Sequence, residues 1–177
     1  VKALQDTYDG KSEGQETLSE AGELVKTALK KTRELSRGLV PDGPRPQQLP
    51  NALRMLAAAM SDQYQQQVDL DLEEELSFDD ENVAHHLFLI AREAVYNAYQ
   101  HAQARKIWIE LHQEDTEIIL VIGDDGIGLP EAIPTGLGIQ VMRYRANMIG
   151  AYFEVFSVPE GGSRVVCRLP WPKGESS

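Results

Sequence analysis

Three polar side chains recur at intervals of four residues in the middle of the chain, and together they could hold a charged ligand. Glu93, Asn97 and His101 offer a carboxylate, an amide and an imidazole. At about 100° per residue, this spacing places them in one row along a helix. An apolar stripe runs beside that row: Leu87, Ile90, Ala91, Ala94, Ala98 and Ala102. The row therefore borders the predicted core, either as a binding site or as the polar margin of an ordinary amphipathic helix.

A second group of candidate residues follows a short apolar run. The run at 118–122 is continuous enough for a central strand that is covered on at least one face. Asp124, Gly126 and Gly128 come directly after it. Glycines at that point allow the backbone to turn or to come close to a ligand. The carboxylate of Asp124 is either a ligand-binding group or the cap of a turn, since Asp-Gly turns are common.

A third group stands at the start of a predicted helix. Gly136 and Gly138 lead into residues 140–149, where apolar side chains recur at helical intervals. The first N–H groups of a helix are unpaired and lie at the positive end of its dipole, so an anion could bind there. Arg143 and Arg145 add positive charge on different faces of this helix. We therefore expect at most one of these arginines to reach a bound phosphate.

Read in order, the three groups resemble the N box and the two glycine boxes of the GHKL ATP-binding superfamily. The matching motifs are Glu93-x-x-x-Asn97-x-x-x-His101, Asp124-x-Gly126-x-Gly128, and Gly136-x-Gly138 ahead of Met142-Arg-Tyr-Arg145. Within that superfamily the chain resembles the catalytic end of a NarL-partnered-type sensor histidine kinase. The resemblance runs from about Leu49 to Pro172, and it depends on the order of helix, strand and glycine motifs.

The resemblance implies a role for each candidate residue in binding ATP and Mg²⁺. Asn97 would be the metal ligand, because Mg²⁺ prefers oxygen ligands and keeps waters and phosphates in its shell. Asp124 would accept a hydrogen bond from the adenine amino group, beside a wall formed by Gly126 and Gly128. Glu93 would act as a base or orient the metal's water. The residues implied near the phosphates are His101, Gly136, Gly138, Arg143 and Arg145. His101 is equally open to a purely structural role.

The charge balance excludes one class of partner. The 177 residues include 28 acidic and 17 basic side chains, which gives a net charge of −11. A general nucleic-acid-binding protein would need a basic surface. Any polyphosphate must therefore be held locally, by backbone amides, a metal ion and a few cations, against an unfavourable overall field.

Cysteine content and hydropathy indicate a compartment. Cys167 has no partner for an internal disulfide, which fits a reducing environment. No stretch is apolar and long enough to span a bilayer, and no signal peptide is visible. We expect a cytoplasmic location without membrane contact for this chain. We also expect it to be part of a longer protein, to which any membrane or sensor portion would belong.

The elements that must position these residues indicate an α+β fold. Strands are predicted at 68–72, 106–112, 117–122, 152–158 and 164–169, and helices at 49–64, through the central row and at 140–149. We expect a two-layer α/β sandwich, in which helices cover one face of a mixed sheet. This is the Bergerat arrangement that the resemblance implies. Ser77 or Asp79 is expected to cap the central helix, and Trp108 to be packed at an edge or partly exposed.

A helical segment is predicted ahead of this domain. Residues 18–39 carry a narrow apolar stripe, which favours a partner helix but also suits packing on the main domain. By resemblance this segment belongs to a dimerisation and phosphotransfer hairpin, and the prolines that follow it form a linker. The predicted domains are therefore a partial dimerisation helix with linker at 1–46, an ATP-binding domain at 47–172 and a tail at 173–177.

The function implied by the resemblance is transfer of the ATP γ-phosphoryl group to a histidine, for relay to a response regulator. The other expected partner is the protein's own dimerisation and phosphotransfer domain, in a homodimer. The acceptor of this kinase type is followed by an acidic residue, which is true of none of the four histidines: His85, His86, His101 and His112. We therefore expect Mg-ATP binding without self-phosphorylation. Two alternatives share the motifs, an anti-sigma-type serine protein kinase and a non-catalytic module that dimerises and docks a regulator.

Overall fold

A computed structural model describes residues 48–74, 76, 78, 80–114, 116–129 and 136–171. The predictions for the dimerisation helix, for its linker and for the tail lie outside the described residues. Within the part of the chain that is described, no helix combines the length and apolar character needed to cross a membrane.

The described chain forms three helices and five strands. The helices are α1 (Leu49–Tyr64), α2 (Glu81–His101) and α3 (Leu137–Met148). The strands are β1 (Gln67–Leu72), β2 (Lys106–Glu114), β3 (Glu117–Asp124), β4 (Tyr152–Ser157) and β5 (Ser163–Pro170). They form one sheet in the order β1-β2-β3-β5-β4, in which β1 and β2 run parallel and the other neighbours antiparallel. The predicted mixed sheet is confirmed.

The strands bury alternate residues beneath the helices. In β2, Ile107, Ile109 and Leu111 are fully buried, as the period of two in a strand requires. They share one core cluster with the apolar stripe predicted on α2, of which Leu87 and Ile90 are fully buried. Trp108, on the opposite register of β2, is partly exposed, as predicted. Helix α2 therefore lies against the sheet with its polar row at the edge of the core.

The start of α2 differs from the sequence prediction. Asp80 is the N-cap, and its side chain accepts a hydrogen bond from the backbone N–H of Asn82 at 2.8 Å. The prediction of Ser77 or Asp79 was wrong. Serine and aspartate are both good N-caps. The position of the cap therefore depends on which residue has the extended backbone that precedes the first turn. Glu81 follows in that turn, near the positive end of the helix dipole.

Cys167 lies within β5 with no exposed surface, and burial raises the pKa of its thiol to about 12. Because the thiolate is the reactive form, we expect an aromatic disulfide reagent to leave the native protein unmodified at mildly alkaline pH. The same reagent should release one equivalent of thiolate after unfolding in denaturant, as counted by absorbance. Rapid, complete labelling of the native protein would contradict this burial.

Candidate functional site

The polar row on α2 meets the start of α3. Glu93 and Asn97 are half-buried. A Cβ atom at Gly138 would overlap the Glu93 Oε1 atom and would lie 3.1 Å from the Asn97 Nδ2 atom. Glycine at 138 therefore leaves room for the Glu93 carboxylate where α2 and α3 approach each other. The structure thus brings the N box and the second glycine motif into direct contact.

His101 lies apart from this contact. It is exposed and is the last residue of α2, where a cationic side chain interacts favourably with the helix dipole. Gly136 is the N-cap residue of α3 and carries no capping side chain. The first N–H groups of α3 are therefore without a side-chain cap at this helix end.

Asp124 is the one buried polar or charged side chain among the described residues, with 2% of its surface exposed. Its Oδ1 atom accepts a hydrogen bond from the Gly126 backbone N–H at 2.8 Å, and its Oδ2 atom accepts one from the Ser163 hydroxyl at 2.6 Å. The first bond is a turn cap, as one sequence interpretation proposed. The second bond comes from β5, so the carboxylate is held on both sides and its orientation is fixed.

The loop after β3 is bound to the segment that follows α2. A Cβ atom at Gly126 would overlap the Ala102 carbonyl oxygen, which also accepts a hydrogen bond from the Ile127 N–H at 2.9 Å. Asp125 accepts hydrogen bonds from the backbone N–H groups of Lys106 and Arg105 at 2.9 and 2.8 Å. These bonds lower the pKa of the Asp125 carboxyl, and the bond from Lys106 has the largest effect. The first glycine motif is therefore anchored to the C-terminal end of α2.

Both glycine motifs thus pack on the same half of α2. Glu93 and Ala102 are separated by roughly 14 Å along the helix axis, given a rise of about 1.5 Å per residue. The start of α3 lies at one end of this stretch, and the loop that carries Asp124 lies at the other. An elongated ligand with a polar head and an anionic tail could contact both ends.

Gly128 lies where the loop after β3 approaches the β4–β5 hairpin. Its φ of 76° favours glycine, and its neighbour Leu129 donates a backbone hydrogen bond to the Ser157 hydroxyl oxygen at 2.8 Å. This contact fixes the position of the backbone at Leu129. Residues 130–135 lie outside the described residues.

The two predicted arginines lie on different faces of α3. The Arg143 guanidinium lies over the Phe153 ring, 5.4 Å from its centroid. Arg145 lies near α2. Desolvation by burial is the main cause that lowers the pKa of His85, His86 and Arg92, and the positive charge of Arg145 is the second cause. That either arginine reaches phosphate stays a prediction.

Sequence reasoning missed Ser163 and the glycine before it. Ser163 supplies the second hydrogen bond to Asp124 although the two residues are 39 positions apart. Gly162 has a φ of 82°, and a Cβ atom there would overlap the Asp124 carbonyl oxygen. The available signal is the Gly161-Gly162 pair, which by its sequence alone indicates only a turn between two predicted strands.

The residues present suit a metal ion that is coordinated mainly by phosphates and waters and only slightly by the protein. Among the residues that the structure describes, no three His, Cys, Asp or Glu side chains group closely enough to hold a metal ion. Mg²⁺ bound to phosphates and waters needs only one or two protein oxygens. The side chain of Asn97 on α2, which lies beside the start of α3, can supply such an oxygen.

Sequence comparison identifies one family and several relatives. The profile of the family described as "Histidine kinase-, DNA gyrase B-, and HSP90-like ATPase" matches residues 82–173. The chain is 37% identical over 93 residues to the sensor protein VraS of Staphylococcus aureus (strain COL), covering 51% of this chain and 27% of VraS. It is 36% identical over 94 residues to the Staphylococcus epidermidis protein of the same name, covering 52% and 27%. The chain therefore spans about a quarter of these relatives' length.

Solved structures share the same fold. The histidine kinase domain of a blue-light activated histidine kinase from Erythrobacter litoralis superposes with a TM-score of 0.60 at 21% identity, covering 69% of this chain and 60% of that one. The ATP binding domain of PrrB from Mycobacterium tuberculosis gives a TM-score of 0.57 at 24% identity, covering 71% and 95%. The arrangement of sheet and helices is therefore the one found in ATP-binding domains of histidine kinases.

Proposed function

Because this chain belongs to the histidine kinase-, DNA gyrase B- and HSP90-like ATPase family, we propose that it is the catalytic domain of a sensor histidine kinase. It would bind Mg-ATP and transfer the γ-phosphoryl group to a histidine, for relay to a response regulator. The observation that carries the proposal is the packing of both glycine motifs on one half of α2. Asp124 lies at one end of that stretch, and Glu93 with Asn97 lies at the other.

Asp124 would recognise the base. Each of its oxygens accepts one hydrogen bond within the protein and has a further lone pair. A buried acceptor held in this way favours a base that presents an N–H donor over one that presents a carbonyl. Adenine has such a donor in its exocyclic amino group, so the Asp124 carboxylate would select adenine nucleotides.

The start of α3 would hold the phosphates, and Glu93 and Asn97 beside it would serve the bound metal. The unpaired N–H groups and the dipole of α3 attract an anion, which the net charge of −11 would otherwise repel. Bound Mg²⁺ supplies charge neutralisation for phosphoryl transfer, which depends mainly on positioning and electrostatics. Asn97 would offer an oxygen to the metal, and Glu93 would orient the metal's water or act as a base.

The finer assignment is to the NarL-partnered type, whose catalytic end the motifs from Glu93 to Arg145 resemble. In that assignment the protein acts as a homodimer through its dimerisation and phosphotransfer domain. The acceptor histidine would lie on that domain, outside the 177 residues, and the response regulator would be the second protein partner.

A thermal-shift experiment tests the nucleotide site. We expect Mg-ATP in hundredfold excess over its Kd to raise the Tm by about 5 °C or more, and ATP without metal to raise it less. Asn97→Ala should lose the metal-dependent part of the shift, because its oxygen is the proposed metal ligand. Asn147→Ala is a matched control, since Asn147 is exposed on the far part of α3. An unchanged melting curve at millimolar Mg-ATP would favour the non-catalytic module.

Phosphotransfer in trans tests the reaction. The protein is incubated with γ-labelled ATP and a separate polypeptide that carries a candidate acceptor helix. Acid-labile label on that polypeptide supports the histidine kinase. Acid-stable label on a serine-containing substrate would instead support the serine kinase.

A further inference from the structure

Three residues form a row across the end of the sheet. The strand register pairs Trp108 of β2 with Gly123 of β3, and Gly123 with Arg164 of β5. Side chains alternate along a strand, so this row lies on the face opposite to Asp124 and Ser163. The row is one residue away from Asp124 along β3 and one residue away from Ser163 along β5.

Gly123 allows the two outer side chains to meet. The Arg164 Cζ atom lies 4.1 Å from the centroid of the Trp108 ring, although a whole strand separates the two residues. A Cβ atom at Gly123 would overlap the indole and would lie 2.7 Å from its Nε1 atom. The indole thus occupies the space above Gly123. Arg164 stacks on it as a cation–π pair, an interaction that is strongest with tryptophan.

The same guanidinium binds the backbone around the buried carboxylate. Arg164 Nη1 donates hydrogen bonds to the carbonyl oxygens of Asp124 at 3.3 Å and Ser163 at 3.0 Å. On the other face of the sheet, the Ser163 hydroxyl donates to the Asp124 carboxylate at 2.6 Å. Arg164 therefore ties together the two residues that define the orientation of the acceptor.

We propose that Arg164, stacked on Trp108 across Gly123, is a positioning residue that fixes Asp124 and Ser163 and thereby sets the base selectivity of the site. The inference rests on the proposed function, since it concerns how the nucleotide base is chosen. Arg164 itself lies on the opposite face of the sheet and cannot touch the nucleotide. Its effect passes through the backbone of β3 and β5.

Selectivity between ATP and inosine triphosphate measures this role directly. Inosine has a carbonyl where adenine has an amino group, so only ATP gains from a correctly oriented Asp124. Arg164→Ala and Trp108→Leu should lower the ratio Kd(ITP)/Kd(ATP) by roughly threefold to tenfold, the value of about one hydrogen bond. Trp108→Phe keeps an aromatic face and should retain most of the wild-type ratio. Titration calorimetry with Mg-nucleotides gives both constants.

Arg168 provides a matched control. It lies on the same strand and the same face, and it pairs with Glu117 at 3.7 Å. Arg168→Ala should leave the nucleotide ratio unchanged, while any loss of thermal stability would resemble that of an ordinary surface arginine. If Arg164→Ala fails to fold, Arg164→Lys gives the same reading, because lysine keeps the charge but loses the planar stacking group.

The outcomes separate the inference from the proposed function. Wild-type protein that binds neither nucleotide overturns both. Wild-type protein that prefers ATP, together with Arg164 and Trp108 variants that keep its nucleotide ratio, overturns only the positioning role. Equal wild-type affinity for both nucleotides also overturns that role and leaves nucleotide binding intact.

Discussion

Asp124→Asn is expected to weaken Mg-ATP binding by roughly 10-fold to 100-fold, the value of one hydrogen bond to a charged group. Asparagine has nearly the same shape: its Oδ1 atom can still accept from the Gly126 N–H, and its NH2 group can donate to the Ser163 hydroxyl oxygen. The chain should therefore still fold. The amide, however, lacks the negative charge that favours the adenine amino group. Titration calorimetry with Mg-ATP, beside a melting curve of the free protein, separates affinity from stability.

The neighbouring carboxylate is the control for this substitution. Asp125 accepts hydrogen bonds from the backbone of Arg105 and Lys106 and is exposed. Asp125→Asn removes the same charge one residue away, so it should leave the Kd for Mg-ATP within about twofold, less than the value of one hydrogen bond. If both variants bind ATP as the wild type does, Asp124 is not the base-binding residue. If both weaken binding equally, a general disturbance of the loop, and not the loss of a specific hydrogen bond to the base, accounts for the weaker binding.

Local periodicity made much of the fold predictable. Leu87, Ile90 and Ala94 are buried in the structure because α2 turns one face to the sheet, and that requirement imposes the 3.6-residue period visible in the sequence. The strands follow in the same way from alternating or continuous apolar runs. These patterns arise because each element buries one face against a single core. Burial selects apolar side chains, so the buried positions can be predicted from the sequence.

The support around Asp124 could not be predicted because it depends on strand register. Ser163 and Arg164 reach Asp124 across 39 and 40 positions of the chain. Nothing in the pattern of β5 indicates which residue of β3 stands opposite each of its own. A shift of one residue would send Arg164 to the other face. The contact between Trp108 and Arg164 could not be predicted for the same reason.

The glycines illustrate an intermediate case. Their positions marked a motif, but the sequence could not show what each one avoids. At Gly126 the structure gives the reason, which is the Ala102 carbonyl group against which the loop packs. At Gly138 the neighbours are the side chains of Glu93 and Asn97. A side chain can move aside at modest cost, whereas a backbone carbonyl cannot.

Gly126→Ala is therefore expected to have the second large effect. The added Cβ atom would overlap the Ala102 carbonyl oxygen and lie 2.7 Å from the carbonyl carbon, so the loop must move away from α2. Overpacking of this kind costs about 1 to 3 kcal/mol in the free energy of unfolding. The movement also breaks the hydrogen bond from the Ile127 N–H to Ala102. Because Asp124 is bound to the Gly126 N–H, Mg-ATP affinity should fall together with stability.

Gly136→Ala is the matched control, because it makes the same chemical change where the structure has room. A Cβ atom at Gly136 would meet nothing within 4 Å, and its φ of −56° suits alanine. Its free energy of unfolding should fall by less than about 1 kcal/mol, a loss that reflects only that alanine is a poorer N-cap than glycine. Denaturant titration gives the stabilities, and calorimetry gives the affinities. Equal losses of stability at the two glycines would contradict a specific contact between the loop and the end of α2, since of the two only Gly126 packs against a backbone carbonyl.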